Sequence, residues 1–167
     1  YAIPNRPLVS TSLIASSEPE AVESHVRTTT GAANVAASRG LNGSGITIAV
    51  IDSGIFPHLD FTAVNNTSRV LQHVDFTGQP AGPSFDPYGH GTHVAGLIAG
   101  NGTRSRLLGT SYAGIAPAAR LVDLRVLKSD GTGSLQGLLD ALQWVLNNRE
   151  SALIKIVNLS VGTAPKE

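Results

Sequence analysis

The chain has neither cysteine nor methionine among its 167 residues. Without thiols there is no disulfide framework, no cysteine nucleophile and no thiolate metal ligand. Without methionine the expectation is that Tyr1 follows an internal cut, so that the polypeptide is a piece of a longer translation product. Aromatic residues make up 5% and charged residues 14%, against 41% hydrophobic. That balance excludes a disordered tail and a charge-rich coiled coil, and 167 residues can bury one sizeable core. Twelve Lys and Arg match twelve Asp and Glu, which leaves no electrostatic reason to expect nucleic acid or an anionic membrane surface as a partner. No apolar run approaches the roughly 18 residues that span a bilayer. Tyr1 opens a polar, Pro-containing stretch without the charged and apolar regions of a signal peptide. A Cys-free, weakly charged, processed chain is expected to be secreted, although the lack of Cys does not fix the compartment.

What is present divides at about residue 30. Residues 1–30 are rich in Ser, Thr, Pro and Glu without a sustained period and read as an extended lead-in. Residues 31–167 carry the pattern of a folded domain. Gly31 to Arg39 is Ala-rich and helix-compatible. Ile46 to Ile51 (ITIAVI) is a β-branched apolar run closed by Asp52-Ser53-Gly54, as in a strand buried on both faces of a parallel sheet. Similar runs recur at Arg69 to Phe76, Arg120 to Leu127 and Ala152 to Val161. Between them His90 to Ala99 reads as a helix. Leu135, Leu138, Leu139, Leu142, Val145 and Leu146 form an apolar helical stripe with Ser134 as N-cap. Strands alternating with helices predict an α/β fold with a mostly parallel sheet and helices on both faces. The run ending at Val161 expects a neighbouring strand, so the sheet is predicted to be incomplete in this chain.

Two residues stand where such a fold places chemistry. Asp52 lies just past the carboxyl end of an apolar strand, where reactive groups gather in open α/β sheets. A strand-terminating Asx turn is the alternative. His90 opens Gly89-His90-Gly91-Thr92-His93-Val94-Ala95-Gly96. A helix N-terminus favours the neutral imidazole that a general base needs. The alternative here is one or two packing histidines. The three-residue spacing of His90 and His93 also occurs in zinc sites, but no Glu stands at the metalloprotease position and only Asp60 and Asp86 are near. The expectation is therefore no catalytic metal, with His93 packed against the sheet.

Taken together, Val50-Ile51-Asp52-Ser53-Gly54-Ile55, His58-Leu59-Asp60-Phe61, His90-Gly91-Thr92-His93-Val94-Ala95-Gly96, Gly114-Ile115-Ala116-Pro117-Ala118-Ala119 and Val157-Asn158-Leu159-Ser160-Val161-Gly162 resemble successive signatures of the subtilisin family. They stand in the family's order across residues 45–163. The resemblance implies a subtilisin-like serine endopeptidase with an Asp-His-Ser triad, in which Asp52 would orient His90 and His90 would activate the serine. It implies protein or peptide substrates, held between Gly131-Thr132-Gly133-Ser134 and Ser160-Val161-Gly162 as an added strand. Ordinary turns at element ends are the other reading of those two segments.

The family's oxyanion-hole Asn and nucleophile block have no counterpart through residue 167. The expectation is that this chain alone is inactive and that a C-terminal part of the same protease, missing or present as a second chain, supplies the Ser. A catalytically inactive peptide-binding or interaction fragment of the same fold is the second reading. A nucleotide-binding domain is disfavoured because Asp52 occupies the place of a phosphate loop. No cofactor is implied. Asp60 resembles a calcium ligand of the family, but Asn101 to Tyr112 does not resemble its calcium loop, which leaves calcium open without support. Tyr1 to Pro7 faintly resembles the last strand of the family's inhibitory propeptide, which makes a propeptide a further expected partner and zymogen processing an expected step.

Overall fold

The computed structural model describes residues 25–79 and 85–162. The lead-in up to residue 24, including the propeptide-like Tyr1 to Pro7, lies outside the described residues. Its last part departs from the expectation. Helix α1 (His25–Thr29) replaces extended chain, because Thr28 and Thr30 fold their hydroxyls back onto the carbonyls of His25 and Val26 and close a turn. Helix α2 (Ala32–Arg39) follows and ends on Gly40 in the left-handed conformation.

Four strands form the sheet: β1 (Thr47–Asp52), β2 (Val70–Asp75), β3 (Arg120–Arg125) and β4 (Ile154–Leu159). Their spatial order is β2-β3-β1-β4, and every pairing is parallel. Each connection must therefore cross a face of the sheet. α-Helices lie on the β2-to-β3 and β3-to-β4 connections, whereas the β1-to-β2 connection carries only a 3-10 turn at Leu59–Phe61. Helix α3 (His90–Ala99) sets Gly91, Ala95 and Ala99 against one face, over Ile48, Val50 and Leu121. Helix α5 (Leu135–Asn148) covers the other face, with Ala141 and Val145 over Ala49, Ile51, Val122 and Leu124. The α/β architecture with helices on both faces is thus the one the strand and helix pattern implied.

Burial refines several expectations. β1 is buried along its whole length. β2 and β4 are mostly exposed, because each pairs on one side only among the described residues. Ser134 caps α5 by accepting from the Gly137 amide. The buried stripe of α5 is Gly137, Ala141 and Val145 flanked by Leu138 and Leu142, whereas Leu135, Leu139 and Leu146 face outward. A small residue at 137 rotates the helix toward the sheet, since a Cβ there would sit 2.9 Å from the Phe76 carbonyl. A short helix α4 (Thr103–Arg106) was not signalled by any apolar period.

Arg69 ties the α3 side together. Its buried guanidinium donates to the carbonyls of Asp60, Thr62, Ala99 and Ala119. Desolvation lowers its pKa, and the nearby Asp60 charge partly restores it.

Candidate active site

The carboxyl ends of β1 and β3 meet the N-terminus of α3. Asp52, last residue of β1, is fully buried. Its carbonyl accepts the amides of Val126 and Leu127, which fixes the strand end against the chain leaving β3. Its carboxylate Oδ1 accepts the Ser53 amide and faces His90 Nδ1 at 2.7 Å. Asp52 Oδ2 is buried without a partner among the described residues. The His90 side chain is 42% exposed. A neutral imidazole that donates from Nδ1 to Asp52 keeps an unprotonated Nε2 as an acceptor.

This approach requires glycine at two points. A Cβ on Gly91 would stand 2.2 Å from the Gly54 carbonyl, and one on Gly54 would stand 2.0 Å from the Phe85 carbonyl. Gly54 also has φ +121°, in the region that favours glycine. The start of α3 therefore lies directly on the turn after β1, which brings residues 52 and 90 together across 38 positions of sequence.

Asp86 organises the junction, a role the sequence reading did not assign to it. Its Oδ1 accepts the Ser53 hydroxyl at 2.8 Å and the Gly89 amide at 2.8 Å, while Oδ2 accepts the Thr92 amide. Ser53 in turn accepts the Gly91 amide. The free amides at the start of α3 are thus satisfied by an acid and a hydroxyl. An Asp four residues before the first helical residue was the available signal.

A second histidine–carboxylate pair lies one strand away. His73 Nδ1 faces Asp123 Oδ2 at 2.8 Å, and the same oxygen accepts the Ile55 amide at 2.9 Å. Burial raises the Asp123 carboxyl above the ordinary range, with the nearby Asp86 charge adding to it, although His73 and the Ile55 amide pull it down. Asp123 was legible only as a lone acid inside an apolar strand.

The expected substrate walls are partly assembled. Gly131, Ser160, Val161 and Gly162 line one open groove of about 190 Å³ with His90, Tyr88 and Leu127. Gly133 forms an antiparallel bridge to Leu127, and Ser134 is committed to capping α5. Thr132 donates its hydroxyl and its amide to Asp130, which holds that exposed carboxyl below its ordinary range and shapes the turn. His93 does not pack against the sheet. It is exposed beside Gly96 and Leu97 on a larger apolar pocket, because residues 91, 95 and 99 take the inward face of α3. Asp60 accepts the Arg104 amide. No cluster of three or more His, Cys, Asp or Glu converges among the described residues. No helix among the described residues is long and apolar enough to cross a membrane.

Known proteins are similar to this chain in sequence and in fold. The profile described as Subtilase family (peptidase S8) matches residues 43–167. Serine protease AprX of Bacillus subtilis (strain 168) is 35% identical over 125 residues, covering 73% of this chain and 26% of that protein. Minor extracellular protease Epr of the same strain is 40% identical, covering 74% of this chain and 17% of that protein. Subtilisin Savinase of Lederbergia lenta is 37% identical over 131 residues, with 78% and 42% covered. The crystal structure of a cold adapted subtilisin-like serine proteinase superposes with a TM-score of 0.57 at 33% identity, over 75% of this chain and 40% of that one. The chain thus spans less than half the length of each of these relatives. With the family profile covering most of its length, the chain belongs to the subtilase family.

Proposed function

We propose that this chain contributes Asp52 and His90 to the Asp-His-Ser triad of a secreted subtilisin-like serine endopeptidase. The observation that carries the reading is the 2.7 Å contact between a buried carboxylate and a half-exposed imidazole at the mouth of a groove. Asp52 holds the His90 tautomer that leaves Nε2 free. As the serine oxygen attacks a peptide carbonyl, its proton passes to Nε2, and the buried Asp52 carboxylate stabilises the imidazolium. His90 then gives that proton to the leaving amine. Water repeats the cycle on the acyl-enzyme, with His90 again the base. Gly131, Thr132, Gly133, Ser134, Ser160, Val161 and Gly162 form the two walls between which the substrate backbone lies extended.

Residues 31–167 belong, in this reading, to the N-terminal part of the catalytic domain, with the nucleophile and the oxyanion donor on a C-terminal part of the same protease. Extracellular activity is supported by the name of one relative, an extracellular protease. The test is casein hydrolysis by the full-length protein, with labelling by a fluorophosphonate. One labelled Ser outside residues 1–167 is expected, and His90→Ala should lower kcat by about ten-thousand-fold or more. Residues 1–167 alone should not cleave casein. Unlabelled full-length protein that leaves casein intact would overturn the proposal.

A further inference from the structure

The pair His73–Asp123 takes no part in the proton transfers just described, yet it is costly. Asp123 lies in the middle of β3, where the neighbouring Val122 and Leu124 are fully buried and apolar. Its side chain is 3% exposed, and Oδ1 has no partner among the described residues. A carboxylate in such a place is worth less to stability than a well-packed apolar residue. Its single bonded oxygen makes two contacts. One is to His73, which sits across β2 in direct register and packs on the Phe85 ring at 4.6 Å. The other is to the Ile55 amide, 68 positions earlier in sequence.

That second contact closes a frame around Asp52. The turn Asp52-Ser53-Gly54-Ile55 is anchored at its first residue, whose carbonyl accepts Val126 and Leu127, and at its last, whose amide donates to Asp123. Both anchors belong to β3 or to the residues that directly follow it. Between them Ser53 is held by Asp86, and just beyond them the Phe56 amide donates to Thr92 Oγ1 in α3. Gly54 leaves the turn conformationally free, so anchors at both ends are needed to aim the Asp52 side chain.

We propose that Asp123, oriented by His73, is a positioning residue for Asp52, fixing the turn that aims the carboxylate at His90. The inference rests on the catalytic reading above. Reaction rate is sensitive to placement, and a shift of about 1 Å can cost on the order of a hundred-fold. The acceptor oxygen, not the charge, does the holding. An amide at 123 can offer the same oxygen to Ile55 and His73, with its NH2 in the place of the partnerless atom.

The test uses the full-length protease with a peptide substrate, rates being normalised to active sites titrated by the fluorophosphonate. Asp123→Ala should lower kcat by about ten- to a hundred-fold with KM within about two-fold. Asp123→Asn should restore kcat to within about three-fold of the parent, and amide exchange at Ile55 should be fast in the Ala variant and slow in the Asn variant. Should Asp123→Ala not fold, His73→Ala at the more exposed strand serves in its place, with the same kcat loss expected at smaller size. A parental kcat per active site in Asp123→Ala, or in His73→Ala where it stands in, would overturn the inference alone. So would a loss that Asp123→Asn does not rescue. An unsubstituted protein that cleaves nothing defeats the catalytic reading and this inference with it.

Discussion

Burial governs the chemistry of Asp123, and the sign of its effect on stability follows from the direction of its shift. The folded protein holds this carboxyl above the ordinary carboxylate value, because desolvation outweighs the hydrogen bond and charge of His73 and the Ile55 amide. The folded state therefore binds the proton more tightly than the unfolded chain does. The resulting stabilisation is fully present below the unfolded pKa and is lost as pH rises through the higher folded value. Each unit of separation is worth about 1.4 kcal/mol. Asp123→Asn removes this titration, so its melting temperature relative to the parent should increase steadily from acid toward neutral pH. Differential scanning calorimetry of both proteins across that range checks the slope. A difference that stays flat, or narrows as pH rises, would show that the ionised carboxylate carries no burial cost.

At the scale of the element, α3 illustrates how two glycines in one helix do opposite work. Gly91 lies against the Gly54 carbonyl, with no room for a methyl group, whereas a Cβ on Gly96 would meet nothing within 4 Å. Gly96→Ala should therefore stabilise the helix by up to about 1 kcal/mol, the ordinary propensity gain. Gly91→Ala should destabilise by about 2 kcal/mol or more and separate His90 from Asp52, lowering casein hydrolysis. Chemical denaturation of the two variants distinguishes them, and equal effects would mean that α3 is not seated as described. The sequence reading recovered α3, β1 and the Ser134 cap because apolar period and capping chemistry are local. It also brought Asp52 and His90 to one site, through motifs rather than through any contact visible in the chain. Ser53 and Asp123 escaped it because their partners are 33 to 68 residues away and a lone polar residue carries no period. Asp86 escaped it because its local bonds to Gly89 and Thr92 span a turn that no apolar period marks. His93 and the outward leucines of α5 were misplaced for a related reason. A stripe wide enough to form a helix does not say which edge the sheet will cover, and small residues at 91, 95 and 137 settled that.

For the whole molecule, the decisive feature is the outer side of β4. Among the described residues this strand pairs only with β1, and Ile156, Val157 and Leu159 are each more than two-fifths exposed. Leu135, Leu139 and Leu146 add apolar surface on α5. Unpaired amides and carbonyls beside exposed β-branched side chains are a template for another strand. In the assembly proposed here, the serine-bearing part of the protease supplies it. That arrangement would make completion of the sheet and completion of the triad a single event, since β4 leads directly into Ser160, Val161 and Gly162 of the groove. Residues 1–167 produced alone should therefore self-associate at micromolar to millimolar concentration. Ile156→Lys, which places a charge on the open edge, should reduce that association while leaving the far-ultraviolet circular dichroism unchanged. Sedimentation velocity over a concentration series measures both species. A monomeric parent across the series would show that β4 needs no further strand, and that the serine-bearing part, if it binds, does so elsewhere.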